Sequence, residues 1–162
     1  MTAAEPPLPR IAARAIVLDP QARVLLVQFR PRGGEPFWAT PGGALEGDET
    51  HEAAVVRELA EETGLREYQI GPCVWFREHV FTFNGIRVNQ KERYFLIHTG
   101  SPALNPSFSE EQLRAEGVHG LRWWTIPELE SSPERFAPTR FPSLLRVLIE
   151  NGAPTAPFDC GV

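Results

Sequence analysis

Between Glu46 and Glu62 the chain carries seven acids, Glu46, Asp48, Glu49, Glu52, Glu58, Glu61 and Glu62, against Arg57 alone. That segment has a net charge of −6, while the whole 162-residue chain sums to −5 and the remainder to +1. Residues 50–63 favour helix, with Thr50 in the N-cap position and Gly64 just past the end. At 100° per residue, Val56, Leu59, Ala60 and Thr63 gather on one side and Glu58, Glu61 and Glu62 on the other. Carboxylates at such spacing repel one another by a few tenths of a kcal/mol, roughly, for each pair. A hard divalent cation removes that repulsion, and Mg²⁺ takes oxygen ligands while keeping sites for water and phosphate. The same spacing also suits a solvated acidic face, and it leaves both readings open.

Residues 11–18 and 23–29 read as two strands around the turn Asp19-Pro20-Gln21-Ala22, and the polar loop 30–36 leads through Phe37-Trp38-Ala39-Thr40 into a tight turn at Pro41-Gly42-Gly43. After the helix, 68–77, 78–83 and 87–99 read as three strand segments, the last two joined at Asn84-Gly85. Residues 100–120 form a loop with a helical turn at 109–115 capped by Ser109, 121–126 a strand, 127–129 a helical turn, and 142–150 a closing helix ended by Asn151-Gly152. The expected organisation is a proline-rich arm at 1–9, one domain over 10–152 and a tail at 153–162. The fold class is α/β or α+β with a mixed sheet.

Composition bounds the function. Hydrophobic and charged contents of 42% and 23% are those of a folded soluble protein. Net acidity argues against nucleic-acid binding as the main role. No apolar run reaches membrane-spanning length and the N-terminus lacks a signal peptide's pattern, so no membrane partner and a cytoplasmic location are expected. Cys73 and Cys160 are too few for a disulfide framework or a paired CxxC zinc site. Every base except Lys91 is arginine, a bias that codon usage alone produces, although guanidinium forks do suit phosphate oxygens.

The string GALEGDETHEAAVVRELAEETGL, Gly43 to Leu65, matches G-x5-E-x7-R-E-U-x-E-E-x-G-U with U aliphatic at every specified position. It resembles the Nudix box, and the Trp38-x-x-Pro41-Gly42-Gly43 lead-in and the strand order also look like that family. The resemblance implies an α/β/α sandwich with a mixed sheet and a loop-helix-loop motif. It implies metal-dependent hydrolysis of a nucleoside diphosphate linked to a group X, with Mg²⁺ or Mn²⁺ on Glu58, Glu61, Glu62 and the Gly42 carbonyl. Arg57 would orient a carboxylate with Glu49 as its structural partner, and Gly43 and Gly64 would be backbone devices at the two ends. The general base in relatives is either a glutamate of the box, here Glu58, or one in a later loop, where Glu116 stands ahead of Glu110 and Glu111. His79 and His119 are weaker candidates, since a lone histidine is more often structural.

Arg30 and Arg32, with Arg14, Arg77 and Arg87 on strands, are candidates to hold phosphate, and Phe81 among several phenylalanines to stack on a base; each also suits a surface arginine or a core aromatic. The chain lacks the four-cysteine module of NADH-cleaving relatives, the arginine motif of coenzyme A hydrolases, the proline of ADP-ribose hydrolases and the tyrosine of dinucleoside polyphosphate hydrolases. A nucleoside triphosphate, as in the MutT-like branch, is therefore slightly favoured over ADP-ribose or another nucleotide sugar. A non-catalytic nucleotide sensor usually has a damaged box, and an acidic scaffold for a basic partner would need no metal. Dimers are frequent in the family, so a homodimer is the expectation by analogy.

Overall fold

The computed structural model describes residues 3–83 and 85–162; Met1 and Thr2 of the expected arm and Asn84 of the expected Asn84-Gly85 turn lie outside the described residues. The elements run β1 (Leu8–Leu18), β2 (Val24–Phe29), β3 (Phe37–Ala39), β4 (Gly42–Ala44), α1 (His51–Glu62), β5 (Gln69–Phe83), β6 (Ile86–His98), α2 (Glu110–Ala115), β7 (Val118–Trp124), α3 (Ile126–Ser131), β8 (Phe136–Ala137), α4 (Phe141–Asn151) and β9 (Phe158–Asp159). They build one mixed sheet in the order β8-β3-β2-β1-β6-β5-β9, with β4 also on β1 and β7 on β2. The β1–β6 ladder is parallel and the β5–β6 ladder antiparallel.

Strand β1 is central because both of its faces are apolar. Ala13, Ala15 and Val17 pack with Leu25, Phe95 and Ile97 under Ala54, Val55 and Leu59 of α1. The alternate residues Ile16 and Leu18 pack with Trp75, Tyr94 and Trp124 against Leu129 of α3 and Phe141, Leu145 and Leu148 of α4. Period-two alternation on the strand thus sends one set of side chains to each helical layer, which makes the three-layer sandwich.

Several boundaries differ from those expected. Strand β1 takes in Leu8 and Pro9, which the sequence leaves in the arm, because the parallel ladder continues to Leu8 opposite Val88. The two expected strands at 68–77 and 78–83 are one, Gln69–Phe83, with register shifts at Ile70/Cys73 and Cys73/Trp75 absorbing the irregularity. The Gly42-Gly43 turn is itself a short strand, paired with Ala13 and Arg14. Strand β7 begins at Val118 because its ladder with β2 extends to Phe29. The tail also contributes: Phe158 and Asp159 pair with Trp75 and Phe76, and the Cys160 N–H donates to the Phe76 carbonyl at 2.9 Å. The caps at Thr50 and Ser109 form where the sequence places them, the latter as a full capping box with Gln112.

Trp75 is fully buried, with ring centroids 5.7 Å from Tyr94 and 6.0 Å from Phe141. Trp75→Ala is expected to lower unfolding free energy by about 3–5 kcal/mol, read as a shift in denaturant midpoint at unchanged m-value.

Candidate active site

Helix α1 lies with its Val55–Leu59 stripe on the sheet, and this fixes where its carboxylates point. Glu62 falls on the buried stripe rather than on an outward acidic face and is 4% exposed, while Val56, expected on the apolar side, is 48% exposed. The reason is a specific partner: the Gly42 N–H donates to Glu62 Oε1 at 2.9 Å, satisfying the carboxylate inside the fold. Glu58 packs on the next residue. A Cβ at Gly43 would lie 2.5 Å from Glu58 Oε1, so only glycine lets the carboxylate approach this backbone. The two glutamates therefore bracket the Gly42–Gly43 peptide from one helix turn.

Arg57 organises the remaining acids. Its Nε and Nη2 grip both oxygens of Glu49 at 2.8 and 3.0 Å, and Nη2 also reaches the Ala44 carbonyl at 3.0 Å. Nη1 donates to Glu58 Oε1 at 3.0 Å and Glu61 Oε2 at 3.3 Å. This fork ties the loop before α1 to two carboxylates on it. The hydrogen bond from Arg57 holds the Glu49 carboxyl below its usual range. Burial, then the neighbouring Glu58 carboxylate, pushes Glu62 well up. Burial and Glu58 also raise Glu61, against the pull of Arg57. At the helix end Gly64 adopts φ 79°, and a Cβ there would run into the Asn105 carbonyl. The loop across it is pinned by N–H donations from Asn105 to the Thr63 carbonyl and from Phe108 to the Glu61 carbonyl.

These oxygens fit a hard divalent cation: the carboxylates of buried Glu62 and neighbouring Glu58 crowd against the Gly42–Gly43 backbone, and burial with like charge makes the pair short of positive charge. Among the described residues no three acidic, imidazole or thiolate groups converge as a closed metal cage. Arg57 holds one oxygen each of Glu58 and Glu61, which leaves an open half-site of the kind Mg²⁺ accepts, since it retains waters and takes substrate phosphates. The Gly42 carbonyl accepts from Arg14 Nη1 at 3.1 Å and keeps a second lone pair.

Arg14 belongs to a second buried cluster. Glu92 on β6 is 1% exposed and accepts from Arg14 Nε at 2.7 Å and from Arg77 Nε at 3.0 Å, with His79 Nε2 at 3.0 Å. Burial alone would raise the Glu92 carboxyl, but Arg14, His79 and Arg77 together bring it well below the usual range. Glu92 is not among the candidates drawn from the sequence. The signal was present: Val88, Gln90, Glu92, Tyr94 and Leu96 alternate onto the core face, and a buried acid there requires cations from the adjacent strands.

The other candidates divide. Phe81 is half-buried and stacks on His79 at 4.8 Å, which places it beside the Glu92 cluster. Glu116 is exposed at the C-cap of α2, near enough for its charge to act on both Glu61 and Arg10. The Arg30 N–H donates to the Gly117 carbonyl at 3.0 Å, so that loop lies against the one carrying Glu116. Arg30 and Arg32 are exposed, with no side-chain partner among the described residues. No helix is long and apolar enough to cross a membrane among the described residues.

The NUDIX domain profile matches residues 8–147. The chain belongs to the Nudix family, whose hydrolases act on phosphorus-containing anhydrides. It is 43% identical over 121 residues to the uncharacterized Nudix hydrolase YvcI of Bacillus subtilis, covering 72% of this chain and 67% of that one. It is 41% identical over 64 residues to a MutT-like protein of Streptomyces ambofaciens, an alignment that spans 40% of each chain. In fold it is similar to the MutT NUDIX hydrolase of Burkholderia pseudomallei, with a TM-score of 0.62 at 23% identity over 85% of this chain and 96% of that one. The Nudix sandwich and its mixed sheet are thus shared with solved relatives.

Removing the Glu92 charge leaves Arg14 and Arg77 without their buried counterion, so Glu92→Gln is expected to cost about 3–5 kcal/mol of stability at neutral pH. A depressed folded pKa contributes stability above the unfolded value of 4.5 and loses it as pH falls through the folded one. The gap between wild type and Glu92→Gln, followed by denaturant unfolding, should therefore be full above pH 4.5 and shrink below it.

Proposed function

We propose that the chain is a divalent-metal-dependent pyrophosphohydrolase that cleaves a nucleoside diphosphate linked to a group X, with a nucleoside triphosphate as the favoured substrate. The observation that carries this reading is the pair Glu58 and Glu62 around the Gly42–Gly43 backbone, held by an intact Arg57 fork. Glu58, Glu61, Glu62 and the Gly42 carbonyl would hold Mg²⁺ or Mn²⁺. When bound there, the cation neutralises phosphate oxygens and lowers the pKa of a coordinated water.

The chain's own residues supply position and proton transfer. Arg57 fixes the orientation of Glu58 and Glu61 while Glu49 fixes Arg57, so a small loss of that geometry disorders the whole carboxylate set. Two carboxylates are candidates for the base. Glu58 is anchored by Arg57, whereas Glu116 is exposed on a loop and has no ion pair among the described residues, which leaves it free to take a proton from water. Arg30, whose N–H bonds the Gly117 carbonyl next to Glu116, and Arg32 would meet the phosphates. Phe81 offers a ring face to a base. Similar proteins are named RNA pyrophosphohydrolase, ADP-ribose pyrophosphatase and Ap4A hydrolase, so the group X is the open variable.

Phosphate release on a nucleotide panel with Mg²⁺ or Mn²⁺ tests the reading. Glu62→Gln should lose roughly 100-fold or more in kcat, several kcal/mol of barrier, and Arg57→Lys about 10- to 100-fold. Equal turnover by Glu62→Gln and wild type would remove the metal assignment. A nucleotide that stabilises the protein thermally without being cleaved would favour a sensor. Glu116→Gln separates the two bases: a loss of about 10²- to 10⁴-fold in kcat assigns the base to Glu116, and kcat near that of the wild type assigns it to Glu58.

A further inference from the structure

One face of the sheet continues past the Trp75 core toward the hairpin of β5 and β6 and changes from apolar to cationic. Strand periodicity places Arg10 with Arg14 on β1, Gln90 with Glu92 on β6, and Arg77, His79, Phe81 and Phe83 on β5. Three arginines and a histidine share this face with one carboxylate. Glu92 is taken up by Arg14, Arg77 and His79. Arg10 is left over: half-buried, with no carboxylate partner among the described residues, its guanidinium rests over the Phe83 ring at 4.4 Å.

Beside it, in register with both Arg10 and His79, Gln90 is 2% exposed and its Oε1 has no hydrogen-bond partner among the described residues. The face therefore holds an uncompensated cation next to an unsatisfied buried amide. Burial and the like charge of Arg14 lower the Arg10 pKa, opposed by the fields of Glu92, Glu58 and Glu116. Arg10 stays protonated regardless, so its charge stands in a costly place unless an anion meets it. Arg10 is thus near enough to Glu58 of the box and to Glu116 for both charges to act on it.

We infer that Arg10 is a substrate anchor: its guanidinium binds nonbridging oxygens of the substrate's phosphate chain, exchanging its contact with the Phe83 ring for charge-assisted hydrogen bonds. The inference rests on the hydrolase reading for the identity of the anion. The exchange is favourable because a fork of N–H donors on a phosphate is the stronger contact, whereas a half-exposed cation over a ring is weak. Arg14 is the less available of the two, since its Nε is bound to Glu92, which pairs its charge, and its Nη1 to the carbonyls of Thr40 and Gly42. It keeps the floor of the face rigid while Arg10 moves.

The test is calorimetric binding of nucleoside triphosphate analogues with methylene-bridged phosphates, in Mg²⁺, to wild type and Arg10→Gln. Binding of Mn²⁺ alone is measured in parallel. Arg10→Gln should weaken the analogue about tenfold or more without weakening Mn²⁺, because losing a cation near the glutamates cannot loosen a metal. Arg10→Lys should recover part of the loss, retaining charge without the fork. Analogue affinity within twofold of wild type in Arg10→Gln would overturn the inference. So would a parallel fall in Mn²⁺ affinity, which marks a structural effect. Turnover on the nucleotide panel separates the two claims. Arg10-dependent binding with no substrate cleaved keeps the anchor and removes the hydrolase; cleavage with an unchanged KM in Arg10→Gln does the reverse.

Discussion

Negative charge brought close to a backbone that cannot neutralise it is the constraint around which this protein is arranged. Glu62 is buried against one peptide N–H and Glu58 lies beside it, and burial with like charge pushes Glu62 upward. Neither carboxylate would hold this place by packing alone. The Arg57 fork, the missing side chain at Gly43 and the short pairing of β4 with β1 all keep two acids near each other when electrostatics would separate them. The site is therefore pre-formed in shape and deficient in positive charge, a combination that favours cations and the phosphates that accompany them.

Strand β1 connects this constraint to the rest of the molecule. Its odd-numbered alanines and valine carry α1, and its even-numbered positions carry first the Trp75 core and then Arg14 and Arg10. Arg14 bonds both to the buried Glu92 and to the carbonyl of Gly42, so the acidic helix and the basic face of the sheet meet through one guanidinium. Opposite charges thus occupy opposite faces of one strand. On the proposed reading, a metal–phosphate ligand would bring cations to the helix side and anions to the sheet side.

Much of this was legible in the residues. The box from Gly43 to Leu65 named the glutamates, Arg57 and Glu49, and the caps at Thr50 and Ser109 fell where their hydroxyls could accept from the helix. What the sequence could not show was burial. On a helical wheel Glu62 shares a side with Glu58 and Glu61, yet its position is set by a peptide 20 residues upstream. Glu92 and Arg10 were missed for a related reason: a charged residue on a strand reads as solvent-facing until its neighbours across the ladder are known. Short elements such as β8, β9 and β4 carry too few residues to show periodicity and exist through pairing alone. The order of the long strands, by contrast, followed from hydrophobic runs and turn residues.

Strands β5 and β6 are 15 and 13 residues long, and they run on past the core to the turn at Gly85. Phe81, Phe83 and Val88 lie on that extension, remote in sequence from the box and continuous with the sheet through the β5–β6 ladder. On the proposed reading, groups that break the bond and groups that discriminate among ligands would occupy separately mutable parts of the chain. Substitutions along the hairpin would then redirect which molecule is selected while α1 and its glutamates stay intact, and diversification would not have to pass through an inactive intermediate.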